Sequence, residues 1–215
     1  MTQTYDTDTQ TGQGQMPVAR ALVIGFVTAS ASMQEPLRAG DKTTKAAFAR
    51  DVLRAITRER SPVGEEGSFA CYFVSDMGAE RIGGKSGGLN DDTFSTAWKK
   101  VPWRGSPVIM PVFTVIEEDY EREHGEKYTS ERPKLHIIGL TDSPPTNKSA
   151  VAGWLSRCHD NVHLRVLLLG EGKQTEQAHR TWQEIAHYND HMRIETVGTE
   201  TNAGEVAMTL LDTGA

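Results

Sequence analysis

Apolar runs of about seven residues alternate along the chain with stretches whose apolar residues recur at helical spacing. Runs at 21–28, 69–75 and 134–140 are mostly apolar and rich in β-branched or aromatic residues, the pattern of strands buried on both faces. Shorter or more mixed runs at 162–169 and 193–197 predict two further strands. Between them, Phe48, Val52, Ala55 and Ile56 predict a helix over about 43–58, capped by Asp41, Thr43 or Thr44. Phe94, Ala97, Trp98 and Val101 predict a second helix, opened by Asp91 and Asp92. Pro107 suits the first turn of a third, which runs to about 123 with Phe113, Ile116 and Tyr120 inward, while Pro111 bends it or delays its start. Val151, Trp154, Leu155 and Cys158 mark a fourth helix; Ala178, Trp182, Ile185 and Asn189 mark a fifth, and residues 205–211 a last.

Strands alternating with helices predict an α/β fold, a Rossmann-like three-layer sandwich whose central, mostly parallel sheet carries helices on both faces. The first 18 residues are rich in Thr, Gln, Gly and Asp and read as a polar tail, leaving 19–215 as a single domain. A length of 215 residues with 37% hydrophobic content is enough for one sizeable core and short for two domains. The net charge of -6 disfavours nucleic acid as a partner. No run approaches the roughly 18 apolar residues of a membrane span, and residues 1–16 have neither the basic start nor the apolar stretch of a signal peptide. The expected location is the cytoplasm, with no membrane partner. Cys71 and Cys158 have no spacing partner and read as buried, reduced thiols.

The chemistry concentrates where two strands end. One run finishes in Thr28, Ala29, Ser30, Ala31, Ser32 and Met33; another finishes in Thr141 and Asp142 before Pro144 and Pro145. Parallel strands deliver such groups to the C-terminal edge of the sheet, where open α/β folds bind ligands. With Ser106 between them in sequence, the strand ends supply three hydroxyls and a carboxylate, an oxygen set suited to a hard cation such as Mg²⁺.

The order of these segments, a strand ending in x-Ser-x-Ser-Met, a later Gly-Ser before a helix and a strand ending in Thr-Asp, resembles the three loops of the von Willebrand factor type A family over about residues 20–212. The resemblance implies a metal-ion-dependent adhesion site, in which a divalent cation is completed by a carboxylate from a protein partner. Carried over, Ser30, Ser32, Ser106 and Asp142 are the ligands, and Thr141 precedes the acid as it commonly does in the family. Thr28 stands where the family has its first Asp. The loss of that charge implies either a weakened Mg²⁺ or Mn²⁺ site or loops that have lost the metal and keep a protein-binding surface. Thr28, Trp103, Arg104 and Thr141 are the expected partner-binding residues, Trp and Arg being enriched among interface anchors. The implied role is a non-enzymatic adaptor in an intracellular assembly; bacterial relatives are often linked to ATPase-driven, stress or defence complexes.

Several motifs compete with that reading. Gly84 to Gly88 matches the G-x-S-x-G of hydrolases, with Ser86 as nucleophile and Asp142 or Asp160 and His163 as partners. The same stretch, from Ala79 to Ser86, nearly spells a phosphate-binding loop with Lys85 and Ser86. Glycines at 78, 83, 84, 87 and 88 instead make it read as a flexible loop. A serine or nucleotide hydrolase using Ser86 is therefore the alternative function. His187 with His191, and His159 with His163, are spaced four apart but read as surface histidines, and the acidic run 117–123 reads as a solvated helix face.

Overall fold

In a computed structural model of the protein, which describes residues 22–60, 69–82, 89–124, 134–158, 161–197 and 202–212, the apolar runs line up as one sheet. Its strands are β1 (Leu22–Thr28), β2 (Phe69–Ser75), β3 (Gly78–Arg81), β4 (Leu135–Thr141), β5 (Val162–Leu168) and β6 (Met192–Thr196), in the spatial order β3-β2-β1-β4-β5-β6. All neighbours are parallel except β2 and β3. The most apolar strands, β1, β2 and β4, are adjacent and almost wholly buried. Burial on both faces explains why they lack the alternation of a half-exposed strand.

Helices cover both faces. α1 (Lys45–Arg60), α2 (Asp91–Trp98) and α6 (Ala203–Leu211) pack on one, against Val23, Val27, Ile138 and Leu140. α3 (Met110–His124), α4 (Lys148–Leu155) and α5 (Lys173–Ala186) pack on the other, against Ile24, Phe26, Leu135 and Ile137. Thr44 caps α1 by accepting from the Ala47 amide at 3.1 Å, and Asn90 forms a capping box with Thr93 at the start of α2. No helix among the described residues is long and apolar enough to cross a membrane.

Three details depart from the sequence pattern. Gly78–Arg81 is not loop but an antiparallel edge strand, turned back on β2 through Asp76 and Met77. Its four residues carry no apolar alternation, so only the turn and the free edge of β2 specify it. Pro107 does not open α3; the segment before that helix is extended, with the Val108 amide bonded to Ser75 O at 3.3 Å, and the helix begins at Met110. Pro111 thus lies in the first turn, where its missing N–H costs nothing. The acidic run is only partly solvated: Glu117 accepts from the Trp154 indole at 3.0 Å, and Asp119 accepts from the Tyr72 hydroxyl. Residues 1–18 and the segment 83–88 lie outside the described residues.

The contact between the two central strands is set by one glycine. Phe26 lies opposite Gly139 in the β1–β4 register, and its ring covers that residue so closely that a Cβ on Gly139 would stand 2.3 Å from it. The ring in turn meets Phe113 edge-on at 5.7 Å, and Phe113 stacks on Trp154 at 4.6 Å. Gly139→Ala is expected to cost about 1–3 kcal/mol by overpacking. Urea denaturation measures it, and Phe26→Leu in the same chain should recover part of the loss because the two sites share one contact.

Candidate functional site

β1 and β4 run side by side in register, Val27 opposite Leu140, so their C-terminal ends release Ser30 and Asp142 at the same edge. The Asp142 carboxylate is buried. One of its oxygens accepts from Ser30 Oγ at 3.2 Å and from Ser143 Oγ at 2.9 Å. The other accepts from Lys45 Nζ at 3.2 Å. Ser32 Oγ lies 3.0 Å from Ser30 Oγ and extends the cluster toward solvent.

Lys45 is the first residue of α1, and its ammonium also donates to Glu35 Oε2 at 3.2 Å. The loop between them is pinched shut by Lys45 N to Glu35 O at 3.0 Å and Leu37 N to Thr43 O at 2.8 Å. The stem of Lys45 crosses Gly170, just after β5, where a Cβ would meet Lys45 Cε at 2.8 Å and φ is +104°. Glycine suits that position on both counts. A hydroxyl chain lies beneath the carboxylate: Thr28 Oγ1 donates to Thr141 Oγ1 at 3.1 Å, which donates to Ser143 O at 3.1 Å. The Trp182 indole of α5 bonds the same carbonyl at 3.2 Å.

Ser30, Ser32 and Asp142 therefore meet as the strand ends predict. Ser106 shares their edge, since Arg104 N bonds Ala29 O at 3.1 Å and Val108 N bonds Ser75 O at 3.3 Å. It is exposed, however, and no hydrogen bond joins it to the cluster among the described residues. Thr28 and Thr141 are not partner-facing: both are fully buried and form the floor of the site. Trp103 is half-buried against Trp98, with ring centroids 5.2 Å apart, so much of it belongs to the core. Arg104 is exposed on the rim.

Lys45, Glu35, Ser143 and Gly170 escape a motif search, which looks for acids and hydroxyls. One signal was available. Lys45 opens a helix with no acid in its first turn, against the preference of the macrodipole for negative charge there.

Mg²⁺ or Mn²⁺ does not fit this donor set. Asp142 is the only charged group among Ser30, Ser32, Ser106 and Asp142, and both its oxygens are already engaged, one of them by an ammonium ion. A divalent ion here would face a like charge in a buried setting and find no second acid among these residues. No group of three His, Cys, Asp or Glu side chains that could hold a metal occurs among the described residues.

The competing motifs fare differently. Lys85, Ser86, His159 and Asp160 lie outside the described residues. His163 pairs with His136 near the start of β5, whereas Asp142 follows the far end of β4. Asp142 is six residue steps along β4 from the level of His163, about 20 Å, so Asp142 cannot orient His163 in a triad. His163 and His191 are also not the surface histidines of the sequence reading. Near the N-terminal edge of the sheet His163 stacks on His136 with centroids 4.8 Å apart, and His191 meets His163 at a tilt with centroids 4.7 Å apart. Neither His136 Nε2 nor His163 Nε2, both buried, has a hydrogen-bond partner among the described residues. Burial, reinforced by His163, Arg60, Lys134 and Arg165, lowers the His136 imidazole to about 4.

Neither a protein-family model nor a curated protein sequence matches the chain. Solved structures do match its fold. The VWA domain of SpRpn10 superposes with a TM-score of 0.61 at 12% identity, covering 91% of this chain and 95% of that one. An aerotolerance-related membrane protein from Bacteroides fragilis gives 0.59 at 11% identity, covering 90% and 98%. Proximal thread matrix protein 1 from the mussel byssus gives 0.61 at 13% identity; 90% of this chain spans 48% of that one. A further structure of the mussel protein has a zinc-occupied adhesion motif. The chain has the von Willebrand factor A fold.

Two outcomes test this description. Asp142→Asn leaves the Lys45 ammonium buried without its main counter-charge and is expected to cost about 3–5 kcal/mol in urea denaturation. The histidine stack predicts acid sensitivity. His136 has a folded value near 4 against an ordinary 6.5, so the unfolded chain binds the proton more readily and stability falls as pH drops below about 6.5 toward 4. Denaturation midpoints between neutrality and that range should show the decline, and His136→Asn should flatten it.

Proposed function

We propose that the chain is a non-enzymatic protein-binding module whose docking surface is the rim of loops at the C-terminal edge of the sheet. The make-up of that rim carries the reading. Met77, at the β2–β3 turn, is 88% exposed, and Val108 is also exposed. Arg104 lies on the same edge, exposed and with no ion pair or hydrogen bond from its guanidinium among the described residues. The turn and the Arg104 loop are in contact, because Asp76 packs against Gly105 so closely that a Cβ there would stand 2.6 Å from Asp76 Cγ. A protruding methionine and an unpaired arginine beside a fixed polar cluster have the composition of an interface core.

The von Willebrand A fold is consistent with an interaction module, and fold alone does not assign a partner. An adaptor that recognises a protein partner is the role that this surface and fold support together. The separation of Asp142 from His163 excludes that pair as partners of Ser86, while Lys85, Ser86 and Asp160 lie outside the described residues.

Affinity recovery from native lysate tests the reading. The wild-type protein is expected to retain a defined protein partner in buffer with or without chelator. Met77→Asp and Arg104→Glu, both at exposed positions, should each weaken retention about tenfold, about 1.4 kcal/mol, without lowering the melting temperature. Equal retention by the wild type and both variants would rule out docking on this rim.

A further inference from the structure

We propose that Lys45 is a tethered cation that docks a carboxylate of the partner without metal, and that Glu35 is an internal stand-in for that carboxylate. This rests on the protein-binding reading above and names the chemistry at its centre.

The two acids on Lys45 Nζ are not equivalent. Both stand 3.2 Å from the nitrogen, but the Asp142 side chain is 0% exposed and that of Glu35 is 63% exposed. Asp142 also accepts from Ser30 and Ser143, which fix it as the permanent counter-ion. Glu35 has no other side-chain partner among the described residues, and it occupies the solvent side of the ammonium of a lysine whose side chain is only 9% exposed. An exposed acid on one side of an ion pair contributes little to stability and exchanges readily. The Glu35 backbone is held independently, by its amide to Ser32 O at 3.1 Å and by its carbonyl to Lys45 N at 3.0 Å, so the side chain can swing out while the loop stays in place.

An ammonium has three donors, and two are accounted for by Asp142 and Glu35. The third finds no acceptor among the described residues. Ser32 Oγ, half-buried beside Ser30, adds a hydroxyl at the mouth of the same recess. Displacement of Glu35 therefore opens a position with a fixed positive charge and a neighbouring hydroxyl. Such a pair recognises an oxyanion, and the Glu35 side chain that now fills the position shows that a carboxylate fits it. Asp142 keeps the cation from being an unpaired buried charge whether or not the position is filled.

Acetate is the probe. Backbone amide NMR signals of Glu35, Lys45 and Ser143 are followed in wild type, Glu35→Gln and Glu35→Gln/Lys45→Met during titration with sodium acetate, against sodium chloride at equal ionic strength. Glu35→Gln removes the internal competitor and is expected to bind acetate about tenfold more tightly than wild type, since apparent affinity scales with the open fraction. The double variant should not bind. Titration of wild type with MgCl₂ or MnCl₂ should give no saturable shift at these amides. Saturable metal binding by wild type, or acetate affinity unchanged by Glu35→Gln, overturns the proposal. Glu35 is exposed, so this second comparison stands even if the double variant fails to fold. Partner retention on the rim with no acetate effect would remove the tethered cation alone; acetate binding with no partner retained would remove the docking reading alone.

Discussion

The Lys45–Asp142 pair is the constraint around which the loop edge is built. A carboxylate with no exposed surface at the end of β4 must be met by donors, and it is met from three directions: Ser30 after β1, Ser143 beside it, and Lys45 at the start of α1. Removing a charge from water is costly unless pairing and hydrogen bonding compensate, so these segments are bound to one another's positions. The constraint reaches further through packing. Gly170 must lack a side chain for the lysine stem to pass, and α1 begins with a residue its own dipole disfavours.

Charge balance explains why the pair is compatible with the rest of the site. Resemblance to the von Willebrand A loops calls for an acid at position 28, which together with Asp142 would make two negative charges for a divalent ion. Thr28 is neutral and hydrogen-bonded to Thr141, leaving one acid, and one ammonium is what the structure sets against it. Neutral Thr28 removes one negative charge and Lys45 adds one positive charge, and together they supply the two units that a divalent ion would have brought to the site.

Much of the fold was legible because its strands are apolar on both faces and its helices carry clean stripes; Phe113, Ile116 and Tyr120 point inward as their spacing requires. β3 was not legible, since Gly78, Ala79, Glu80 and Arg81 carry no alternation and gain their conformation from β2. In the site, Ser30, Ser32 and Asp142 could be placed by strand direction alone. Thr28 and Thr141 were placed on the wrong side of the surface because they are the last residues of strands buried on both faces, which motif position does not reveal. Lys45 was missed because a lysine near a helix start ordinarily reads as solvated. The histidine stack was missed for a related reason: His136, His163 and His191 are remote in sequence, and only the β4–β5–β6 register aligns them.

The short third strand has a bearing on assembly. An open sheet offers two edges to which another chain could add a strand, and both are poor templates here. On one side stands β3, four residues long and carrying Glu80 and Arg81; on the other stands β6, five residues long and carrying Arg193 and Glu195. Arg165 from β5 reaches across that second side to Glu195 and to carbonyls at the end of α6, tying the helix to the sheet. Backbone-to-backbone growth of the sheet is disfavoured at either end, so any association with another chain would have to rest on side-chain contacts.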